Sequence, residues 1–169
     1  MQKQLVLIGA KADLRFGLKQ FQGLTKGLEK DHEVLAISSI FRVSHYDEGW
    51  EDWGQSLTVC FKIRTTTSAV GLYEYLAQRE SALQKEAPRN LFQIYFLSYE
   101  DRVETSQNYN LPYPDFHRKP ELLVPACEIY REYIHPVLNK DLAALGREQK
   151  DSNWGEFFAQ GKVLRESQF

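Results

Sequence analysis

Residues 57–65, LTVCFKIRT, alternate without a break. Leu57, Val59, Phe61 and Ile63 fall on one side of an extended chain, and Thr58, Cys60, Lys62 and Arg64 on the other. A period of two is the mark of a β-strand, whose successive side chains point to opposite faces. A strand with one continuous apolar face is not stable alone: it needs strand neighbours and a second layer over that face. The rest of the chain has to supply both.

The neighbours are readable. LVLIG (5–9) is a short apolar run ending in glycine and predicts a buried strand. Leu14, Leu18, Phe21, Leu24 or Thr25, and Leu28 then follow at helical spacing, with Asp13 placed to act as N-cap. EVLAISSIFRV (33–43) alternates again, with Leu35, Ile37, Ser39, Phe41 and Val43 on one side. Residues 44–56 are polar, acidic and aromatic and read as a loop. After β-like 57–65, Thr67 or Ser68 caps a helix carrying Leu72, Leu76 and Leu83. EAPR breaks that helix before RNLFQIYFL (89–97), a strand that puts Phe92, Ile94 and Phe96 on one face. Residues 98–118 read as loop, and Pro120 opens a third helix in which Pro125 predicts a kink or an early end.

Two strand–helix–strand halves joined by a hairpin near 44–56 give an α+β domain: a ferredoxin-like antiparallel sheet with helices packed on one face. This domain takes in residues 1–145, and 146–169 read either as a docked helix or as a partly ordered tail. The formal charge of −2 supplies no field to attract nucleic acid or an acidic membrane, so neither is an expected partner. Cys60 and Cys127 match no metal spacing and read as reduced thiols. The apolar run in MQKQLVLIGA is too short for a signal peptide or a membrane span, and cytoplasm is the expected location.

The later half carries a more specific pattern. LPYPDFHRKPELLVPACEIYREYIHPVL (111–138) resembles a segment of the 6-hydroxymethyl-7,8-dihydropterin pyrophosphokinase (HPPK) family. Leu111-Pro112, Pro114, Leu122-Leu123, Pro125, Glu128-Ile129 and His135-Pro136 fit that family's pattern without a gap. Upstream, LIGAKADL resembles its Ile/Leu-Gly-Ser-Asn-Leu opening, ISSIFRV its Ser-Ser-x-Tyr-x-Thr, and APRNLFQIYFL its Gly-Pro-Arg-x-Leu-Asp-Leu-Asp-Ile-Leu-Leu. The resemblance spans roughly 1–145, an HPPK-like domain.

It implies a folate-pathway enzyme that moves pyrophosphate from ATP to the pterin hydroxymethyl group with Mg²⁺. Such transfer rests on positioning and on charge stabilisation by metal and cations. Mg²⁺ needs hard oxygen ligands, which the family sets two residues apart on one strand face. Here those positions are Phe92 and Ile94, and neither offers an oxygen. Other positions depart too: Lys11, Tyr113 for the histidine of Pro-His-Pro, Lys119 for an arginine, Glu121 for an aromatic residue, Ser56 and Thr58 for Tyr and Asn. Only QKEA stands where the family has a long loop closing over ATP.

The expectation is therefore a diverged relative with little or no pyrophosphokinase activity, no catalytic residue, no metal ligand and no cofactor, acting by binding a small molecule or a protein partner. Arg89, Arg118 and Lys119 are the residual candidates for phosphate or ATP, against a reading as solvated surface charges. Glu80, Trp50, Trp53 and Tyr113 are the pocket candidates; the tryptophans either stack a ring, anchor a partner, or fold over the vacated cleft. The alternative is an active enzyme using ATP and Mg²⁺, its metal held by Glu80 with Glu100 or Asp101, or by Glu80 with the 47–52 loop, which carries Asp47, Glu48, Glu51 and Asp52.

Overall fold

The alternating stretch becomes β4 (Ser56–Thr65), the strand on which the sheet is built. The computed structural model describes residues 2–43, 55–149 and 153–166. Along one edge β4 pairs antiparallel with β1 (Gln4–Asp13), from Gln4↔Thr65 to Asp13↔Ser56. Its other edge takes β2 (Glu33–Ile37) and β3 (Ile40–Val43) in turn. The sheet runs β5 (Phe92–Tyr99), β1, β4, β3, β8 (Gly155–Ala159), every pairing antiparallel.

Several boundaries differ from the sequence reading. Strand β1 continues past Gly9, and its last four residues, Ala10, Lys11, Ala12 and Asp13, are all buried between β4 and β5. Their alternation of alanine with charge hides a strand from a hydrophobicity pattern. Asp13 is consequently not an N-cap: its Oδ1 accepts the Arg15 N–H at 2.9 Å in the turn that follows, and α1 (Gly17–Asp31) begins after Phe16 without a side-chain cap. The single strand expected over 33–43 is split at Ser38-Ser39. There the Ser38 hydroxyl accepts the Cys60 N–H at 2.8 Å.

The helices occupy both faces. Helices α1 and α2 (Ala69–Glu86) bury Phe21, Leu24, Leu28, Leu72, Leu76 and Leu83 against Val6, Ile8, Val59, Phe61 and Ile63. Ser68 caps α2, accepting the Gly71 N–H at 3.1 Å. The opposite face, expected to be open, is covered by α3 (Pro120–Ile129) and α4 (Leu142–Glu148). Leu7, Cys60, Tyr95 and Leu97 meet Leu122, Leu123, Ala126, Leu142 and Leu145 there. Thr58 and Lys62 made that face look polar, but Leu7 of β1 and Tyr95 and Leu97 of β5 supply most of its apolar patch. Gly9 lets α3 come close, since a Cβ there would stand 3.2 Å from Leu122 Cδ2.

Residues 98–118 hold a short hairpin, β6 (Glu104–Thr105) with β7 (Asn110–Leu111), and a 3-10 turn at Phe116–Arg118. Pro125 stands inside α3, a helix of only 10 residues. The C-terminal stretch enters the sheet as β8, and a 3-10 turn (Gly161–Arg165) then docks on α1 through buried Leu164 and the Arg165–Glu29 ion pair at 3.1 Å.

Candidate functional site

Strand β5 lies at the edge of the sheet, bonded to β1 on one side only. Its other side presents N–H groups that need acceptors. Helix α2 supplies them: Glu80 Oε2 accepts the Ile94 N–H at 2.7 Å and Gln84 Oε1 accepts the Phe92 N–H at 3.1 Å. The spacings match, because four residues rise about 6 Å in a helix and two residues rise about 6.6 Å in a strand. A Glu-x-x-x-Gln face on α2 thus reads the two outward amides of β5, in reverse order.

Phe92 is 5% exposed and packs on Phe21, ring centroids 6.4 Å apart, beneath α1. Ile94 is half-buried against the same core. Phe96 completes the face at 7% exposure, so the three residues do share one side.

Beside Ile94 opens a cavity of about 390 Å³. Helix α2 contributes Tyr73, Leu76, Ala77 and Glu80; β5 contributes Gln93, Ile94 and Phe96; the hairpin and the chain after it contribute Asn108, Tyr109, Asn110, Tyr113 and Pro114. The Tyr109 ring lies 5.2 Å from Tyr73 and 5.6 Å from Phe96, and Tyr113 sits edge-on to Tyr95 at 5.3 Å. Among the described residues, no lysine or arginine lines this space. Burial raises the Glu80 carboxyl above the ordinary glutamate range, opposed by the Ile94 N–H that favours its charged form. Burial likewise raises the Tyr113 phenol, with Lys119 pulling it down and Glu121 pushing it up.

The sequence candidates are therefore distributed rather than gathered. Glu80 and Tyr113 share the cavity. Lys119 occupies the N-cap position of α3 without a side-chain cap, near enough to Tyr113 to act on it electrostatically. Arg118 is exposed and faces Asp115 at 3.8 Å. Arg89 lines a different cavity, of about 570 Å³, with Arg15, Phe16, Lys19 and Asn90. Trp50 and Trp53 lie outside the described residues, as do Asp47, Glu48, Glu51 and Asp52. Glu100 accepts the Leu5 N–H at 2.6 Å, and its place six residues beyond Ile94 puts it roughly 20 Å along β5 from the Glu80 contact. Sequence reasoning missed Tyr73, Asn108, Tyr109 and Asn110; the one signal was the Tyr/Asn-rich make-up of 98–118.

Three of the positions that depart from the family pattern, Lys11, Thr58 and Glu121, are linked in the interior. Lys11 and Glu121 are 1% and 4% exposed, and the Thr58 hydroxyl donates to the Glu121 carbonyl oxygen at 2.7 Å, with Thr58 opposite Lys11 in register. The link between α2 and β5 is short: α2 ends at Glu86 and a turn closes with the Asn90 N–H on the Ala87 carbonyl oxygen at 2.9 Å.

No protein-family model matches this sequence, and no curated protein matches it. Solved structures do. HPPK-DHPS of Plasmodium falciparum with pteroate superposes with a TM-score of 0.68 at 9% identity, over 87% of this chain and 42% of that one. The same wild-type protein with pterin and p-hydroxybenzoate gives 0.65 at 10% identity, over 87% and 43%. With STZ-DHP it gives 0.61 at 10% identity, again over 87% and 43%. This chain spans less than half the length of those proteins. At that identity the likeness is one of architecture: an antiparallel sheet with packed helices, in the HPPK-like fold.

Proposed function

We propose that this chain uses the HPPK-like fold to bind a ligand or partner and carries out little or no pyrophosphate transfer from ATP to a hydroxymethyl pterin. The observation that carries the reading is the commitment of β5. Phe92 is core, packed on Phe21, and the Glu80 carboxylate beside Ile94 is occupied as a backbone acceptor. A bridging pair of Mg²⁺ ions requires several free carboxylate oxygens converging on one point, and these residues do not fit that need.

Two further features support it. Arg89 stands in a separate cavity from Glu80, so cation and carboxylate do not converge on one nucleotide. The turn at Ala87–Asn90 is too short to fold over a bound triphosphate and exclude water. The ligand is a small molecule entering the cavity beside Ile94, whose aromatic walls and convergent polar groups are those of a recognition site. Incubation with ATP, Mg²⁺ and 6-hydroxymethyl-7,8-dihydropterin tests the reading. AMP is expected to stay at the level of a no-protein control; AMP release with multiple turnovers overturns the proposal.

A further inference from the structure

The cavity beside Ile94 has a definite electrostatic character. Among the described residues its lining holds one carboxylate, Glu80, and four aromatic rings, Tyr73, Phe96, Tyr109 and Tyr113, with no basic side chain. Glu80 spends Oε2 on the Ile94 N–H, and among the described residues Oε1 receives no hydrogen bond. The rings come from four separate segments. Tyr109 on the hairpin packs on Tyr73 of α2 at 5.2 Å and on Phe96 of β5 at 5.6 Å, which holds one aromatic wall in place. Tyr113 is fixed edge-on by Tyr95.

Ring faces carry the negative end of the aromatic quadrupole. Together with a carboxylate they repel phosphate and attract a cation. Besides the phenols, the other polar side chains are the amides of Asn108 and Asn110 and that of Gln93, whose Oε1 already accepts the Tyr95 hydroxyl at 3.0 Å. An ammonium with several N–H bonds needs several acceptors in fixed places, whereas a methylated ammonium needs none and gains from every ring it touches. Resting on the reading of this cavity as a binding site, we propose that it takes a small organic cation through a methylated ammonium group. Its positive charge faces Glu80 and its methyl groups lie on the tyrosine and phenylalanine rings.

The test is calorimetric titration of the full chain at low ionic strength with choline and, separately, with 3,3-dimethyl-1-butanol, which has the same shape without the charge. Choline is expected to bind at least about tenfold more tightly than the alcohol. Glu80→Gln keeps a carbonyl oxygen for the Ile94 N–H, so the strand stays anchored; it is expected to weaken choline about tenfold and leave the alcohol unchanged. Tyr73→Leu keeps apolar volume and removes one ring, and is expected to weaken choline while circular dichroism stays that of the wild type. Equal affinity for the two compounds, no choline heat up to roughly 10 mM, or unaltered choline binding in Glu80→Gln overturns the proposal. AMP release in the transfer assay would instead overturn the loss of chemistry and leave this assignment of the cavity standing, so the two failures are distinct.

Discussion

Placing an aspartate at position 92, the residue type found there in the pyrophosphokinase pattern, asks whether this strand face can still serve a metal. Phe92 is 5% exposed and its ring lies against Phe21 in the core beneath α1 and α2. Truncating a buried phenylalanine costs about 3–5 kcal/mol, and leaving a polar group in its place without a partner costs about 1–3 kcal/mol more, even if the carboxyl stays protonated. The combined loss of about 4–8 kcal/mol is comparable with the whole stability of an ordinary domain, about 5–15 kcal/mol. Phe92→Asp is therefore expected to be unfolded or nearly so, while Phe92→Leu, which keeps most of the volume, loses about 1–1.5 kcal/mol. Ile94→Asp, at the half-buried lip of the cavity, is expected to fold and to push the Glu80 carboxyl further up by like-charge repulsion. Urea denaturation followed by circular dichroism measures all three. A Phe92→Asp protein with a wild-type midpoint and Mg²⁺-dependent ATP binding would refute the reasoning, because it would show that position 92 faces an open site.

Other expectations rest on different parts of the fold. Gly161 admits no Cβ, which would fall 2.2 Å from the Ser38 carbonyl oxygen, so Gly161→Ala is expected to loosen the docked C-terminal turn by about 1–3 kcal/mol and speed amide exchange in α1. Glu80→Ala removes the acceptor of the Ile94 N–H and is expected to lose about 1–2 kcal/mol in urea titrations, against little change for Glu80→Gln. The folded Glu80 carboxyl holds its proton longer than an unfolded one, so its contribution to stability falls as pH rises from the ordinary glutamate value through the raised one; Glu80→Gln should flatten that slope. Burial lowers His32 and His135 below their ordinary 6.5, opposed at His32 by Asp31 and reinforced at His135 by His117. His135 Nδ1 accepts the Val137 and Leu138 N–H groups at 3.3 and 3.2 Å, an arrangement that needs Nδ1 unprotonated. Stability is thus complete above 6.5 and is expected to fall as pH drops through the lowered values, with a shallower fall in His135→Asn.

The parts of the fold that sequence made visible are those in which hydrophobicity repeats with a period. β4 and the apolar faces of α1 and α2 follow directly from Leu57, Val59, Phe61 and Ile63 and from Leu72, Leu76 and Leu83. The second half of β1 was hidden because Lys11 and Asp13 are charged yet buried, and β8 because Phe157, at 59% exposure, and its neighbours have no apolar side to betray them. The covered second face was hidden for a related reason. Its apolar patch is assembled across strands, from Leu7, Cys60, Tyr95 and Leu97, so no single segment displays it.

Of the candidate site, the sequence made legible the apolar character of one strand face: Phe92, Ile94 and Phe96 share a side, as the structure has them. The rest is relational. Glu80 looks in sequence like a surviving active-site acid, but four residues of helix opposite two residues of strand make it, with Gln84, the acceptor row that closes an exposed sheet edge. The aromatic wall needs Tyr73, Phe96 and Tyr109, 36 residues apart at their extremes, and only the hairpin at 104–111 brings Tyr109 over α2. Under the proposed function Glu80 protects the sheet edge and Phe92 belongs to the core, and neither task asks for cations nearby. Arg89 in its separate cavity and Arg118 in solvent accord with that reading. The ligand proposed for the cavity beside Ile94 is set by what its rings and single acid attract.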